Sequence, residues 1–294
     1  MLEQILGKLY PREQSQTPGT EEDAEESEPI TPITPAELKA AIKKMTEKNT
    51  APGPDGIPGK AVYLAMTALG ENLLNIFNNC VREGKMPECW KRAKLVLIPK
   101  SGKDLSTPAA YRPICLISEA GKLLERVIAE RIKQHLKTVG PDIHEQQYGF
   151  RQGKSTIDAI DRVQRIAREA VKERVVALAM SVDITNAFNT LPWRAIENGL
   201  AKLGLPSGIR KIVSNYLKGR TIEYKGEKGI TRRTVDRGVP QGSVLGPLLW
   251  NIGYNTILST TLPAGVHLTC YADDKKFTET NRCITKRRQK YKEK

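Results

Sequence analysis

Tyr271-Ala272-Asp273-Asp274 sets two carboxylates side by side, directly after a short apolar run, Val266-His267-Leu268-Thr269-Cys270. Adjacent acids at a strand end repel each other and resist joint ionisation, so packing gives no reason for them. Divalent cations do. Magnesium prefers hard carboxylate oxygens and leaves room for phosphates, and a pair of such ions can clamp the attacking and leaving oxygens of a phosphoryl transfer. On its own, an Asp-Asp pair is more often a solvated turn, and its weight comes from what lies upstream. Ninety residues before Asp273, the run from Val175 to Val182 ends in Asp183. Its β-branched, uncharged character predicts a strand buried on both faces, with Asp183 where that strand emerges. If this strand lies beside the one ending at Tyr271, Asp183, Asp273 and Asp274 converge. The backbone carbonyl of Ile184 then offers one more oxygen ligand. The plainer use of Asp183 is to end a strand or cap the helix that follows.

Phe188 stands five residues beyond Asp183, within Thr185-Asn186-Ala187-Phe188-Asn189-Thr190-Leu191. A ring so close to a metal-holding acid can floor a nucleotide pocket and block a ribose 2′-hydroxyl, the group that separates RNA from DNA building blocks. Ordinary core packing is the other use for it. A third segment runs from Arg237 through Gly238-Val239-Pro240-Gln241-Gly242-Ser243-Val244-Leu245-Gly246-Pro247. Glycines around Pro-Gln let the backbone approach a ligand closely, and the apolar run behind them reads as a helix. Gln241 can reach a base or sugar edge, and Gly242 leaves space for a template strand.

The elements that must position these residues are also written in the chain. Thr34 as N-cap, Pro35 at the first helical position and Glu37 completing a capping box start a helix. The Pro/Gly turn Ala51-Pro52-Gly53-Pro54-Asp55-Gly56-Ile57 follows it. Lys94 to Lys100 reads as a strand entering a basic loop, and Tyr111-Arg112-Pro113-Ile114 opens a second strand. From Gly121 to Thr138, Leu123, Leu124, Val127, Ile128, Ile132 and Leu136 recur on one helical face, and a second helix runs from about Ile157 to Lys172. Strands alternating with helices over 294 residues predict an α+β chain with one large or two small cores.

Three of these segments, taken in order and spacing, resemble the palm motifs of reverse transcriptases, and those of non-LTR (LINE-type) retrotransposons most closely. They are Asp183 with Ala187-Phe188-Asn189, the stretch Gly238 to Pro247, and Tyr271-Ala272-Asp273-Asp274. Viral RNA-dependent RNA polymerases usually carry Gly-Asp-Asp, and group II intron maturases a Ser-Pro pair where this chain has Gly246-Pro247. The turn at Ala51–Ile57 and the segment Gln146-Gln147-Tyr148-Gly149-Phe150-Arg151-Gln152-Gly153-Lys154-Ser155-Thr156 resemble further parts of the same family, so that the likeness covers about residues 31 to 277.

The resemblance implies a right-hand polymerase of fingers and palm, the palm a small, mainly antiparallel sheet with packed helices, and the thumb absent. It implies RNA-directed DNA synthesis from an RNA template, a DNA primer and dNTPs, with Asp183, Asp273 and Asp274 catalytic. Those three and Ile184 would hold two Mg²⁺ ions, for which Mn²⁺ can substitute. Lys100 and Arg112 would flank a hairpin over the triphosphate, Arg as a planar fork and Lys as a mobile point charge. They would share the nucleotide with Phe188, Gln241 and Gly242. Gly149, Arg151, Lys154, Ser155 and Tyr271 would touch template or primer. A non-catalytic, truncated nucleic-acid-binding remnant of such an element is the alternative, because no later palm or thumb motif is recognisable after Asp274. The expected site of action is intracellular, with the nucleus favoured for target-primed integration.

Charge divides the chain. Residues 1–30 hold eight acids and two bases and read as an acidic, disordered linker. The last twenty residues hold nine bases and two acids. Taking that −6 and +7 from the total of +14 leaves +13 on residues 31–274, which suits a phosphate backbone. The expected division is a linker at 1–30, a fingers-like region at 31–174, a palm-like region at 175–277 and a basic, disordered tail at 278–294. The five cysteines include no Cys-x-x-Cys pair and predict free thiols; with three scattered histidines they make no zinc pattern. No run of about 18 apolar residues is present, so neither membrane insertion nor secretion is expected.

Overall fold

The computed structural model describes residues 2–11, 30–46, 50–226 and 229–281. In chain order these form α1 (Leu2–Leu9), α2 (Pro35–Thr46), α3 (Gly59–Glu83), α4 (Glu88–Lys91), β1 (Arg92–Pro99), β2 (Tyr111–Ile117), α5 (Glu119–Thr138) and α6 (Thr156–Lys172). They continue as β3 (Val176–Val182), α7 (Ala187–Thr190), α8 (Trp193–Lys202), α9 (Ser207–Leu217), β4 (Thr221–Gly226) and β5 (Gly229–Thr234). Last come α10 (Gly246–Leu258), β6 (Val266–Tyr271) and β7 (Asp274–Asn281). The α+β class is as the sequence predicts. Two compact units form, each from separated stretches: Met1–Pro141 with Phe188–Gly253, and Asp142–Ala187 with Tyr254–Lys294. Among the described residues, no helix is long and apolar enough to cross a membrane.

The first unit is built on a four-stranded sheet of order β2-β1-β4-β5. β1 and β2 form the expected antiparallel hairpin, while β1 and β4 run parallel. Alternation along these strands aims Ala93, Leu95, Cys115, Ile117, Ile222 and Tyr224 at one face, where Ile5, Leu6, Leu9 and Tyr10 cover them. That contact corrects the reading of residues 1–30 as a linker. Residues 2–9 are a helix whose apolar positions fall at i, i+3, i+4 and i+7 and seal the sheet. The acidic stretch at 12–29 lies outside the described residues.

Helix α5 is the other centre of this unit. All six apolar positions read from its periodicity are buried. The predicted capping box of α2 is present, Thr34 N–H donating to Glu37 Oε2 at 2.9 Å and Glu37 N–H to Thr34 Oγ1 at 3.2 Å. Arg131 of α5 ties that helix start down, its Nε donating to Glu37 Oε1 at 2.7 Å and its Nη1 to the Thr31 carbonyl at 2.7 Å. The Arg131 guanidinium hydrogen-bonded to Glu37 holds the Glu37 carboxyl down at about 2.

The second unit holds a three-stranded antiparallel sheet of order β3-β7-β6, with α6 packed on it. Three sequence readings change here. β3 and β6 are not neighbours, because β7 lies between them and pairs with both. β3 is an edge strand and not one buried on both faces: Leu178 and Met180 are 57% and 56% exposed. Its apolar composition belongs to a strand with one paired side. Residues 278–281 complete β7 and are not part of a disordered tail, while 282–294 lie outside the described residues.

The packing of α1 is directly testable. Leu6 is fully buried, so Leu6→Ala should lower stability by about 2–5 kcal/mol in a urea titration. A midpoint equal to wild type would return residues 1–11 to the role of a linker.

Candidate active site

The second unit gathers the acids. Its register pairs Val182 with Lys275, so Asp183, the next residue of the chain, follows β3 at the end of the sheet where Asp274 begins β7. Tyr271 ends β6 opposite the same Asp274. Asp273 lies between them in the β6–β7 turn, half-buried, while Asp183 is exposed. The structure thus brings Asp183, Ile184, Tyr271, Asp273 and Asp274 to one end of one sheet. The carboxylate of Asp274 lies outside the described side chains.

The turn itself is held from outside the hairpin. Ala272 adopts a left-handed φ of 56°, which costs an L-residue roughly 1–2 kcal/mol. Gln147, fully buried, clamps it at both backbone groups: the Ala272 N–H donates to Gln147 Oε1 at 3.0 Å, and Gln147 Nε2 donates to the Ala272 carbonyl at 3.2 Å. The same Oε1 accepts from Gly149 N–H at 3.0 Å. On either side, Cys270 N–H donates to the Gln146 carbonyl at 2.9 Å and Tyr148 N–H to the Cys270 carbonyl at 2.8 Å. Gly149 is required by this approach, since a Cβ there would lie 2.1 Å from the Ala272 nitrogen. Burial pushes the Cys270 thiol up to about 12, so it stays protonated inside the strand.

The residues expected to touch template have local tasks as well. Arg151 Nη1 donates to the carbonyls of Ile143 and His144 at 2.8 and 3.0 Å, and its Nη2 pairs with Asp142. Lys154 donates to the Glu145 carbonyl and lies 4.7 Å from the centre of the Tyr148 ring. Ser155 and Asp158 form a capping box that starts α6. Sequence reasoning alone misses Gln147. Its only signal there is its place in the family-like Gln146–Thr156 segment.

The first unit gathers the residues read as nucleotide-binding. The chain at Phe188–Leu191 docks on the Gly238 loop: Val239 N–H donates to the Phe188 carbonyl at 2.7 Å and Gly238 N–H to the Leu191 carbonyl at 2.7 Å. The half-buried Phe188 ring stacks on buried Trp250, with centroids 5.5 Å apart and an interplanar angle of 19°. Gln241 presents its carbonyl to Cys115 N–H at 2.8 Å. A side chain at Gly242 would strike the backbone of β2, because its Cβ would lie 2.7 Å from the Cys115 carbonyl oxygen. Arg112 lies exposed on the same strand, and Lys100 Nζ donates to the Ala109 carbonyl at 3.0 Å at the end of the hairpin.

A buried carboxylate fixes this loop. Glu125 of α5 accepts from Val244 N–H at 2.7 Å and Leu245 N–H at 3.1 Å through one oxygen. Burial holds its carboxyl above the ordinary range, against the opposing pull of Arg220 and the two amides. Arg220, itself buried, lies 4.5 Å from the centre of the Tyr216 ring.

Residues 98–290 match the family described as reverse transcriptase (RNA-dependent DNA polymerase). The chain is 36% identical to the Pol polyprotein of the type-1 retrotransposable element R1 of Bradysia coprophila, over 76% of this chain and 22% of that one. It is 32% identical to the RNA-directed DNA polymerase of the mobile element jockey of Drosophila melanogaster, over 84% of this chain and 27% of that one. It therefore spans about a quarter of the length of these relatives. Among solved structures, telomerase of Candida tropicalis with a fragment of telomeric RNA matches at 16% identity and a TM-score of 0.49, over 79% of this chain and 42% of that one.

Glu125 yields a pH-dependent prediction. A carboxyl raised in the folded state contributes stability below its unfolded pKa that is lost as pH climbs through the folded one. Glu125→Gln keeps an oxygen for both amides and cannot ionise. It should therefore gain stability relative to wild type as pH rises from about 4 to about 8. Glu125→Leu should cost about 1–3 kcal/mol even at the acidic end, because two buried amides lose their acceptor. Urea titrations at both pH values check this, and a Glu125→Gln difference that is flat with pH would overturn it.

Proposed function

Because the chain belongs to the reverse transcriptase family, as the LINE-type domain of non-LTR retrotransposons, we propose that it is an RNA-directed DNA polymerase core working by two-metal nucleotidyl transfer. The observation that supports the reading is the register that ends β3 beside the start of β7, so that Asp183 follows one strand where Asp274 begins the other, next to the turn holding Asp273. Hard oxygens at adjoining strand ends suit Mg²⁺, with Mn²⁺ as a substitute, and Asp183, Asp273, Asp274 and the Ile184 carbonyl would hold two ions. Bound there, the ions would activate a primer 3′-hydroxyl and neutralise charge on the departing pyrophosphate.

The chain's own residues do the positioning. Lys100 and Arg112 place positive charge for the triphosphate of a dNTP, and Gln241 and Gly242 border the nucleotide on the loop that Glu125 fixes. Phe188 uses one ring face on Trp250 and offers the rest to the sugar. Gly149, Arg151, Lys154, Ser155 and Tyr271 line the path of an RNA template and DNA primer, and the basic body holds both by their phosphates. Fingers-like residues 31–174 and palm-like residues 175–277 would both contribute to each of these tasks. The proposed place of work is inside the cell, nucleus or cytoplasm, with the nucleus favoured for target-primed integration by resemblance to the family.

Asp273→Asn should lower primer extension on an RNA template by a factor on the order of 10³ or more, with the circular dichroism spectrum kept, since several kcal/mol of charge stabilisation depend on a metal ligand. Unchanged extension would sink the assignment. Phe188→Val should raise the ratio of NTP to dNTP incorporation while dNTP use persists. An unchanged ratio in a folded variant would leave Phe188 as packing against Trp250 alone.

A further inference from the structure

We infer that Gln147 is a positioning residue for the metal-holding turn: its amide locks Ala272 so that the flanking Asp273 and Asp274 present their carboxylates toward divalent cations. The inference rests on the proposed polymerase reading and goes past it to a residue with no contact to substrate. Three observations carry it. Gln147 is fully buried, yet its side-chain amide spends its hydrogen bonds on backbone groups of the turn and of Gly149. Ala272 sits in a left-handed conformation that an alanine holds only where the surroundings over-determine it. The backbone on both sides of Gln147 pairs with Cys270, so the amide cannot drift from the turn.

The geometry also says why an amide is required. Ala272 presents one donor and one acceptor, its N–H and its carbonyl, and only a group carrying both can satisfy the two from one side chain. A hydrocarbon of the same length would remove both of these hydrogen bonds and leave the left-handed turn without its clamp. Relaxation of that turn would swing the two neighbouring carboxylates, and groups that orient metal ligands without binding metal change its affinity by about 10–100-fold when lost.

The first measurement needs no variant: the Ala272 amide of the wild-type chain should be protected from hydrogen exchange, and free exchange there would overturn the clamp. Next, Mn²⁺ binding is followed by water-proton relaxation in wild type, Gln147→Met and the milder Gln147→Asn. Each variant should weaken Mn²⁺ binding about tenfold or more, and raise the Mg²⁺ concentration for half-maximal extension alike, with the KM for dNTP unchanged. Leu268→Ala, which loosens buried β6 packing without touching the clamp, should lower stability and leave Mn²⁺ affinity at the wild-type value. A folded Gln147 variant that binds Mn²⁺ as wild type does would overturn the inference while leaving the polymerase reading standing. A wild-type chain that neither binds Mn²⁺ nor extends a primer would overturn both.

Discussion

Backbone pairing along β7 is the constraint on which the second unit depends. Because β7 lies between β3 and β6, its register with each decides which residues share an end of the sheet. A slip of one residue reverses every side chain of a strand between faces. Were β3 to slip by one toward the body of β7, Asp183 would take the place of Val182 opposite Lys275. A carboxylate beside an ammonium forms an ion pair, and the site would be neutralised by its own chain. The present register instead leaves Asp183 past the last β3–β7 pair, at the sheet end that carries the adjacent acids Asp273 and Asp274, and adjacent carboxylates stand in opposition.

That opposition explains the effort spent on the turn. Acids forced together favour protonation or separation unless a cation joins them. A two-residue connection at Ala272-Asp273 leaves little freedom to separate, and its left-handed residue would relax if unsupported. Support comes from the Gln146–Gly149 segment, which lies far away in sequence and is laid against the strand end by backbone hydrogen bonds to Cys270. The hairpin supplies the acids, and the distant segment holds their geometry.

Elements with strong local signals are legible in the sequence. The apolar period of α5 and the Thr34–Glu37 capping box both depend on neighbours within a turn or two, and both are found where the residue pattern puts them. What escapes depends on partners far along the chain. The apolar stripe of α1 is hidden when it is averaged with the acids that follow. The apolar run of β3 reads as doubly buried, because composition reports hydrophobicity and not the number of paired sides. β7 carries Lys275 and Lys276 directly after its first residue, and they look unlike a central strand, yet pairing on both sides needs only backbone groups. The acids stand out in the sequence because three motif-like segments carry them in order and spacing. Gln147 is not, since an amide in a polar segment shows nothing until its partners are in place.

The two units use different chemistry to solve a similar problem. In each, one buried side chain collects backbone amides of a loop that bears site residues. The loop at Gly238–Pro247 is held by a carboxylate, Glu125, and Arg220 and Lys122 act on it as opposing positive charges. Such a carboxylate is tolerable where cations offset its burial. At the Asp273 turn the same solution would add another negative charge beside the adjacent acids Asp273 and Asp274. A neutral amide avoids that, and it also supplies the donor that the Ala272 carbonyl needs. Glutamate at 125 and glutamine at 147 are thus opposite answers, each set by the sign of the charge around the loop it holds.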